Sequence, residues 1–268
     1  MAEDDMAGEG NFIWYELMTT DTAAAGQFYS AVAGWSAEKA DNTTAGGMDY
    51  TLFKIPGYDM GSAGMMALTP EMRAGGARPA WIGYIFVDDV DAKTAEVTTR
   101  GGEVHMGPTD IPGIGRFSVV ADPHGATFYL FKPNMPDGPM PDMPKPGSPG
   151  TFGWNELNAG DLDEAFDFYS ALFGWTKTMA VPMGDLGVYQ VFANGGQDTG
   201  GMMRKLDHVP MSFWQFYITV DAIDAAVERV KANGGTITNG PHPVPGDAWI
   251  VEGSDPQGAK FALTAGKR

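Results

Sequence analysis

A long internal repeat constrains this chain more than any other feature. Trp14–Trp35 reads WYELMTTDTAAAGQFYSAVAGW and Trp154–Trp175 reads WNELNAGDLDEAFDFYSALFGW, with eleven of 22 positions identical. The match continues from Gly64-Met65-Met66 to Gly201-Met202-Met203, and from Trp81–Asp88 to Trp214–Asp221. It ends with Gly101-Gly102 against Gly234-Gly235, and Asp122-Pro123-His124-Gly125 against Asp255-Pro256-Gln257-Gly258. The offset falls from 140 to 133, so loops of the second copy are about seven residues shorter. Such self-similarity means two copies of one domain, and 268 residues suit two domains of ordinary size.

Between the copies, residues 133–150 hold seven prolines in 18 positions. Proline fixes φ and removes a backbone donor, so this stretch is expected to be a linker. The expected division is an acidic tail over 1–10, a first domain over 11–132, the linker over 133–150 and a second domain over 151–268. Within each copy the order of elements recurs. Alternation over Phe12–Met18 predicts a strand with Trp14, Glu16 and Met18 on one face and Ile13, Tyr15 and Leu17 on the other. Asp161, with Glu164 three residues on, predicts a capped helix start. Ala165, Phe168, Tyr169, Leu172 and Phe173 then fall at helical spacing before the stop at Gly174. Short strands follow near Tyr50–Ile55 and Gly64–Leu68. The pattern then restarts with a strand over Trp81–Val87, a helix over Asp91–Arg100 and two strands around the Asp122-Pro123-His124-Gly125 turn.

Composition bears on partners. The net charge is −17, with 34 acidic against 17 basic residues. A field of that sign repels phosphate backbones and anionic bilayers, so neither nucleic acid nor membrane is an expected partner. No apolar run approaches the roughly 20 residues of a membrane span. The absence of Cys excludes disulfides, thiolate metal sites and a Cys nucleophile, and fits a cytoplasmic protein. A small-molecule ligand and a monomer or homodimer are the expectations that remain.

Taken together, the strand-to-Asp spacing, the "FYSA…GW" helix end, the helix starts at "VDDVD" and "VDAID", and the "DPxG" hairpins resemble the vicinal oxygen chelate superfamily. That superfamily includes glyoxalase I, extradiol dioxygenases and bleomycin-resistance proteins. The chain is most similar to its two-domain glyoxalase-like or hydroxylase-like branch. The resemblance implies an α+β fold of four βαβββ modules, forming two glyoxalase-like domains with open β-cups, outer helices and a ligand site inside. Whether modules pair in sequence order or across the linker is left open.

The resemblance also implies a divalent metal on the inner wall of the cup. Its ligands would lie seven residues before the Asp of each helix, seven after the Asp of the last hairpin, and on the last strand of the first module. Those places hold Trp14, Trp81, Tyr129 and Met65 or Met66 in the first copy, and Trp154, Trp214, Ala262 and Met202 or Met203 in the second. None is His or a carboxylate. Indole nitrogen only donates, and a thioether is a poor ligand for hard ions. No metal and no cofactor is therefore expected, nor is glyoxalase I or dioxygenase chemistry. His105, His124, His208 and His242 show no ligand spacing.

An inner wall of Trp, Met and Tyr suits flat apolar molecules. Trp14, Met65, Trp81 and Tyr129, with Trp154, Asn158, Met202 and Trp214, are the candidate binding residues; as plain core they would fill the cup instead. The second cup is preferred, because Ala262 stands where the first copy has Tyr129. Glu16 and Glu156 share a strand face with Trp14 and Trp154. A carboxylate on an apolar wall is a candidate acid/base, or else a structural acceptor. Three readings follow: a metal-free binding protein for an apolar or aromatic small molecule; a metal-independent lyase, isomerase or hydroxylase-like enzyme using Glu16 or Glu156; and a non-catalytic scaffold with filled cups. Whether the protein is an enzyme stays open at this point.

Overall fold

The computed structural model describes residues 8–41, 49–134 and 141–268. Most of the expected acidic tail and the middle of the Pro-rich linker lie outside those residues. The chain forms four βαβββ modules. The first comprises β1 (Phe12–Thr19), α1 (Thr22–Ala33), β2 (Ser36–Lys39), β3 (Tyr50–Lys54) and β4 (Gly61–Ala67), followed by a short α2 (Pro70–Ala74). The second is β5 (Ala80–Phe86), α3 (Val90–Thr99), β6 (Glu103–Ile111), β7 (Gly115–Ala121) and β8 (Thr127–Pro133). The third is β9 (Phe152–Ala159), α4 (Leu162–Phe173), β10 (Thr176–Pro182), β11 (Val188–Asn194) and β12 (Gln197–Arg204). The fourth is β13 (Phe213–Thr219), α5 (Ile223–Ala232), β14 (Thr236–Val244), β15 (Ala248–Ser254) and β16 (Lys260–Ala265). Among the described residues no helix is long and apolar enough to cross a membrane.

Local chemistry explains the helix limits. The Asp21 carboxylate accepts from Ala24 N at 3.0 Å, and Asp161 accepts from Asp163 N and Glu164 N at 3.0 Å each, satisfying amides that lack helical partners. Glu164 does not close a reciprocal capping box; its side chain meets His124 Nε2 at 3.0 Å. Gly34 and Gly174 end α1 and α4 in the left-handed region, at φ 77° and 72°.

Two eight-stranded sheets result, ordered β2-β3-β4-β1-β5-β8-β7-β6 and β10-β11-β12-β9-β13-β16-β15-β14. Strand pairing thus joins modules in sequence order. Packing divides the chain otherwise. One unit comprises Met1–Trp14, Ile82–Met135 and Trp154–Gln215; the other comprises Tyr15–Trp81, Pro136–Gly153 and Phe216–Arg268.

Each unit has its own aromatic core around one helical tyrosine. In the first, Tyr169 of α4 stacks on Trp175 at 5.4 Å and meets Trp214 edge-on at 5.3 Å, and Phe12 reaches Trp214 at 5.0 Å. In the second, Tyr29 of α1 meets Trp81 edge-on at 5.2 Å, and Phe152 lies 5.9 Å from Trp35. Tyr29, Tyr169, Phe53, Phe128 and Phe192 are fully buried. Each such ring contributes roughly 1.5–3 kcal/mol through lost hydration, with about 0.5–1.5 kcal/mol more for a well-placed aromatic pair. Helix ends are clamped alike in both units. Arg229 of α5 donates to Val32 O at the end of α1 at 3.2 Å, and Lys93 of α3 donates to Leu172 O at the end of α4 at 2.7 Å.

Candidate functional site

The residues that mark the repeat build the cores. In the second unit Trp81 Nε1–H donates to Tyr29 Oη at 2.9 Å, and the Tyr29 hydroxyl donates to Asp255 Oδ2 at 3.2 Å. Asp255 Oδ1 accepts from the Gln257 and Ala259 amides at 2.9 Å each, which holds the DPxG turn. The first unit repeats this. Trp214 donates to Tyr169 at 3.0 Å, Tyr169 to Asp122 at 3.3 Å, and the His124 and Ala126 amides to Asp122 Oδ1 at 2.9 Å. Burial pushes the carboxyls of Asp122 and Asp255 up from their ordinary value, against the pull of the turn amides. Burial, and then the neighbouring carboxylate, pushes both tyrosines well above theirs.

These bonds correct the expected inner wall. Trp81 and Trp214 point to the helix side of their strands, and do not share a face with Trp14 and Trp154. Met65 and Met202 also lie on that side: Met65 Cε is 3.7 Å from where a Gly26 Cβ would stand, Met65 is in register with buried Leu17, and Met202 with buried Leu157. The opposite face of β5 carries Ile82 and Tyr84, and that of β13 carries Gln215 and Tyr217.

On the face opposite the helices, the two copies differ. In the first unit Tyr84, Tyr129 and Phe131 form a buried cluster against which Trp14, Ile82 and Phe117 pack. The Tyr84 and Tyr129 rings meet edge-on at 4.4 Å, so Tyr129 and Trp14 are part of a filled apolar face. Glu16, in the second unit, is buried and in register with Gly64, where a Cβ would fall 1.7 Å from Tyr50 Oη; the Tyr50 ring crosses the strand at that glycine.

The second copy builds a more polar face within the first unit. Trp154 Nε1–H donates to Tyr189 Oη at 2.7 Å. Glu156 is in register with Gly201, where a Cβ would fall 2.2 Å from the Tyr189 ring, so only glycine admits the tyrosine there. Asn158 Nδ2 donates to Glu156 Oε1 at 3.4 Å, and Glu156 is only 7% exposed. Buried Gln215 lies on the same side of β13, next to β9 in the sheet. An indole, a phenol, a carboxylate and two amides here offer ring surface together with hydrogen-bonding groups of both kinds. Tyr189, Gly201 and Gln215, with Tyr50 and Gly64, escaped the sequence reading. The signal available was a shared Tyr-x-x-Phe, Tyr50 to Phe53 and Tyr189 to Phe192. Arg116 is engaged away from this face, by Asp91 at 2.6 Å and Asp110 at 2.8 Å.

The metal implied by the resemblance does not fit these residues. Trp14, Trp154 and Ala262 offer no metal donor, and the single phenol of Tyr129 does not make a ligand set. Among the described residues no group of three or more His, Cys, Asp or Glu is close enough together to hold an ion.

Comparison with known proteins matches residues 11–130 and 151–263 to the Glyoxalase/Bleomycin resistance protein/Dioxygenase superfamily. The chain is 34% identical over 258 residues to "Putative glyoxylase CFP32" of Mycobacterium bovis, covering 95% of this chain and 94% of that protein. It is 33% identical over 264 residues to "Anthracycline biosynthesis protein DnrV" of Streptomyces peucetius, covering 93% and 91%. Among solved structures it resembles the Mn(II)-bound glyoxalase from Novosphingobium aromaticivorans, with a TM-score of 0.65 at 17% identity over 97% of this chain and 83% of that one. It also resembles the 2,3-dioxygenase LapB from Pseudomonas sp. KL28, with a TM-score of 0.65 at 12% identity over 98% and 94%. At these identities the two structures establish the fold alone.

Proposed function

Because the chain belongs to the glyoxalase/bleomycin resistance protein/dioxygenase superfamily, we propose that it binds a small, largely apolar aromatic molecule on the face of its second sheet opposite the helices. The observation that carries this reading is the Trp154–Tyr189 hydrogen bond beside buried Glu156. Two aromatic side chains locked to each other lose little freedom on binding, and their ring faces suit a flat ligand. Glu156, Asn158 and Gln215 supply acceptors and donors for a ligand hydroxyl or amide. The first copy's apolar cluster serves as packing in this reading. The relative named for anthracycline biosynthesis gives an aromatic ligand added support.

A second reading makes Glu156 a metal-independent acid/base, and the burial of its carboxylate favours it. Fluorescence titration with 2-naphthol, comparing wild type with Tyr189→Phe and Glu156→Gln, tests both. Binding lost in Tyr189→Phe supports the site. A Glu156→Gln variant that binds but no longer turns over a substrate found for the wild type supports catalysis. If two- and three-ring phenols leave the wild-type fluorescence unchanged, the site is not a binding site, and a scaffold reading replaces it.

A further inference from the structure

The two copies of the second βαβββ module differ in a concerted way on the face opposite their helices. In β5–β8, Tyr84, Tyr129, Val119 and Met106 lie in register across four strands. In β13–β16 the same places hold Tyr217, Ala262, Glu252 and Asn239. The first tyrosine is kept, while Tyr, Val and Met become Ala, Glu and Asn. Three adjacent positions thus change from apolar to small or polar together.

The geometry shows the consequence. With Ala262 in place of a ring, Tyr217 reaches across β16 to β15, and its hydroxyl donates to Glu252 Oε1 at 3.4 Å. Asn239 Nδ2 donates to Glu252 Oε2 at 3.3 Å, and His242 Nε2 meets Asn239 Oδ1 at 2.8 Å. Tyr217 is 2% exposed, Glu252 is half-buried, and Asn239 and His242 are exposed. All of these residues belong to the second unit.

Among the described residues Glu252 is held by these two neutral donors and by no Lys or Arg ion pair. A partly desolvated carboxylate in a chain of net charge −17 gains from a cation supplied from outside. A metal ion would need more anionic or imidazole donors than the single carboxylate here. We propose that the Tyr217–Glu252–Asn239 cluster is a binding subsite for a small organic amine in its protonated form. The ammonium would donate to Glu252, with the Asn239 carbonyl as a further acceptor. This site stands independently of the Trp154–Tyr189 site.

Calorimetric titration of the full chain with benzylamine and with its neutral isostere, benzyl alcohol, tests the proposal. Benzylamine should bind at least roughly tenfold more tightly, and more weakly as salt is raised. Glu252→Gln should remove the preference, whereas Glu156→Gln should leave it in place. Asn239→Leu, at an exposed position, should weaken benzylamine binding severalfold and serves if Glu252→Gln fails to fold. Equal binding of the two compounds, or a preference that survives in Glu252→Gln, would overturn the proposal. Loss of the preference in Glu252→Gln alone would uphold it even if 2-naphthol fails to bind at Trp154 and Tyr189.

Discussion

Trp81 and Tyr29 are joined by a buried hydrogen bond of 2.9 Å that links strand β5 to helix α1, and Tyr29 passes the link on to Asp255 in the last hairpin. Trp214, Tyr169 and Asp122 repeat the chain in the other unit. Replacing Tyr29 by Phe removes both the acceptor for the indole and the donor to the carboxylate. Two buried polar groups then lose a partner, and the expected cost is roughly 1–3 kcal/mol. Urea unfolding of Tyr29→Phe, Trp81→Phe and the double variant should show coupling of about 0.5 kcal/mol or more. Strictly additive effects would mean that the three side chains do not act as a unit.

Acid should act in opposite directions on two sets of carboxylates. Asp122 and Asp255 have folded values raised by burial, so their protonated forms favour the folded state. Their contribution is fully present below the unfolded carboxylate range and is lost as pH rises through the raised values. Asp91 and Asp221 are held low by Arg116 and Arg229, and lose their contribution as pH falls through their lowered values. Melting temperatures of wild type and Asp122→Asn/Asp255→Asn, taken between about pH 7 and about pH 4, should therefore shift relative to each other in favour of the wild type as pH falls. A difference that is flat with pH would show that neither carboxyl is perturbed.

Much of the architecture was legible in the sequence because its marks are local. Asp21 and Asp161 cap helices, Gly34 and Gly174 end them, and each DPxG turn is closed by its own Asp, all within a few residues. The face borne by Trp81 and Trp214 was misread. WIGYIFV is apolar on both faces, so its alternation does not say which side meets the helix, but WQFYITV sets Trp214, Phe216, Ile218 and Val220 against Gln215, Tyr217 and Thr219, which already marks the Trp214 face as the buried one. Counting back from Asp88 and Asp221 chose the wrong face for both. The grouping of Phe12 with Trp214, and of Phe152 with Trp35, rests on packing between residues more than 100 apart in sequence, which no local pattern encodes. Tyr189 was missed because its role depends on Gly201 and Trp154 on other strands.

Gly201→Ala is a minimal probe of the candidate site. The added Cβ would fall 2.2 Å from the Tyr189 ring, too close for the ring to stay. Displacing the ring breaks the bond from Trp154, and overpacking of this kind costs about 1–3 kcal/mol. The expected result is a lower melting temperature together with weakened 2-naphthol binding. Gly64→Ala, where the Cβ would meet Tyr50 Oη, should lower stability without affecting that binding. A crystal structure of Gly201→Ala with Tyr189 unmoved would refute the packing argument.

Trp154 and Trp214 offer the sharpest contrast between ligand contact and core. Both indoles donate to a tyrosine, Trp154 to Tyr189 at 2.7 Å and Trp214 to Tyr169 at 3.0 Å. Trp214 is 5% exposed and sits amid Tyr169, Trp175 and Phe192, so Trp214→Phe removes packing and a buried donor. It should destabilise by about 1–3 kcal/mol while leaving the affinity for 2-naphthol unchanged. Trp154 is only half-buried and lies on the face opposite the helices beside Glu156. Trp154→Phe should cost well under 1 kcal/mol in stability, weaken 2-naphthol by roughly tenfold, and abolish most of the ligand-induced quenching. Parallel urea melts and fluorescence titrations of the two variants separate these effects. If Trp214→Phe alone loses the ligand, the binding face lies on the helix side, and the assignment of the site to Trp154 and Tyr189 is wrong.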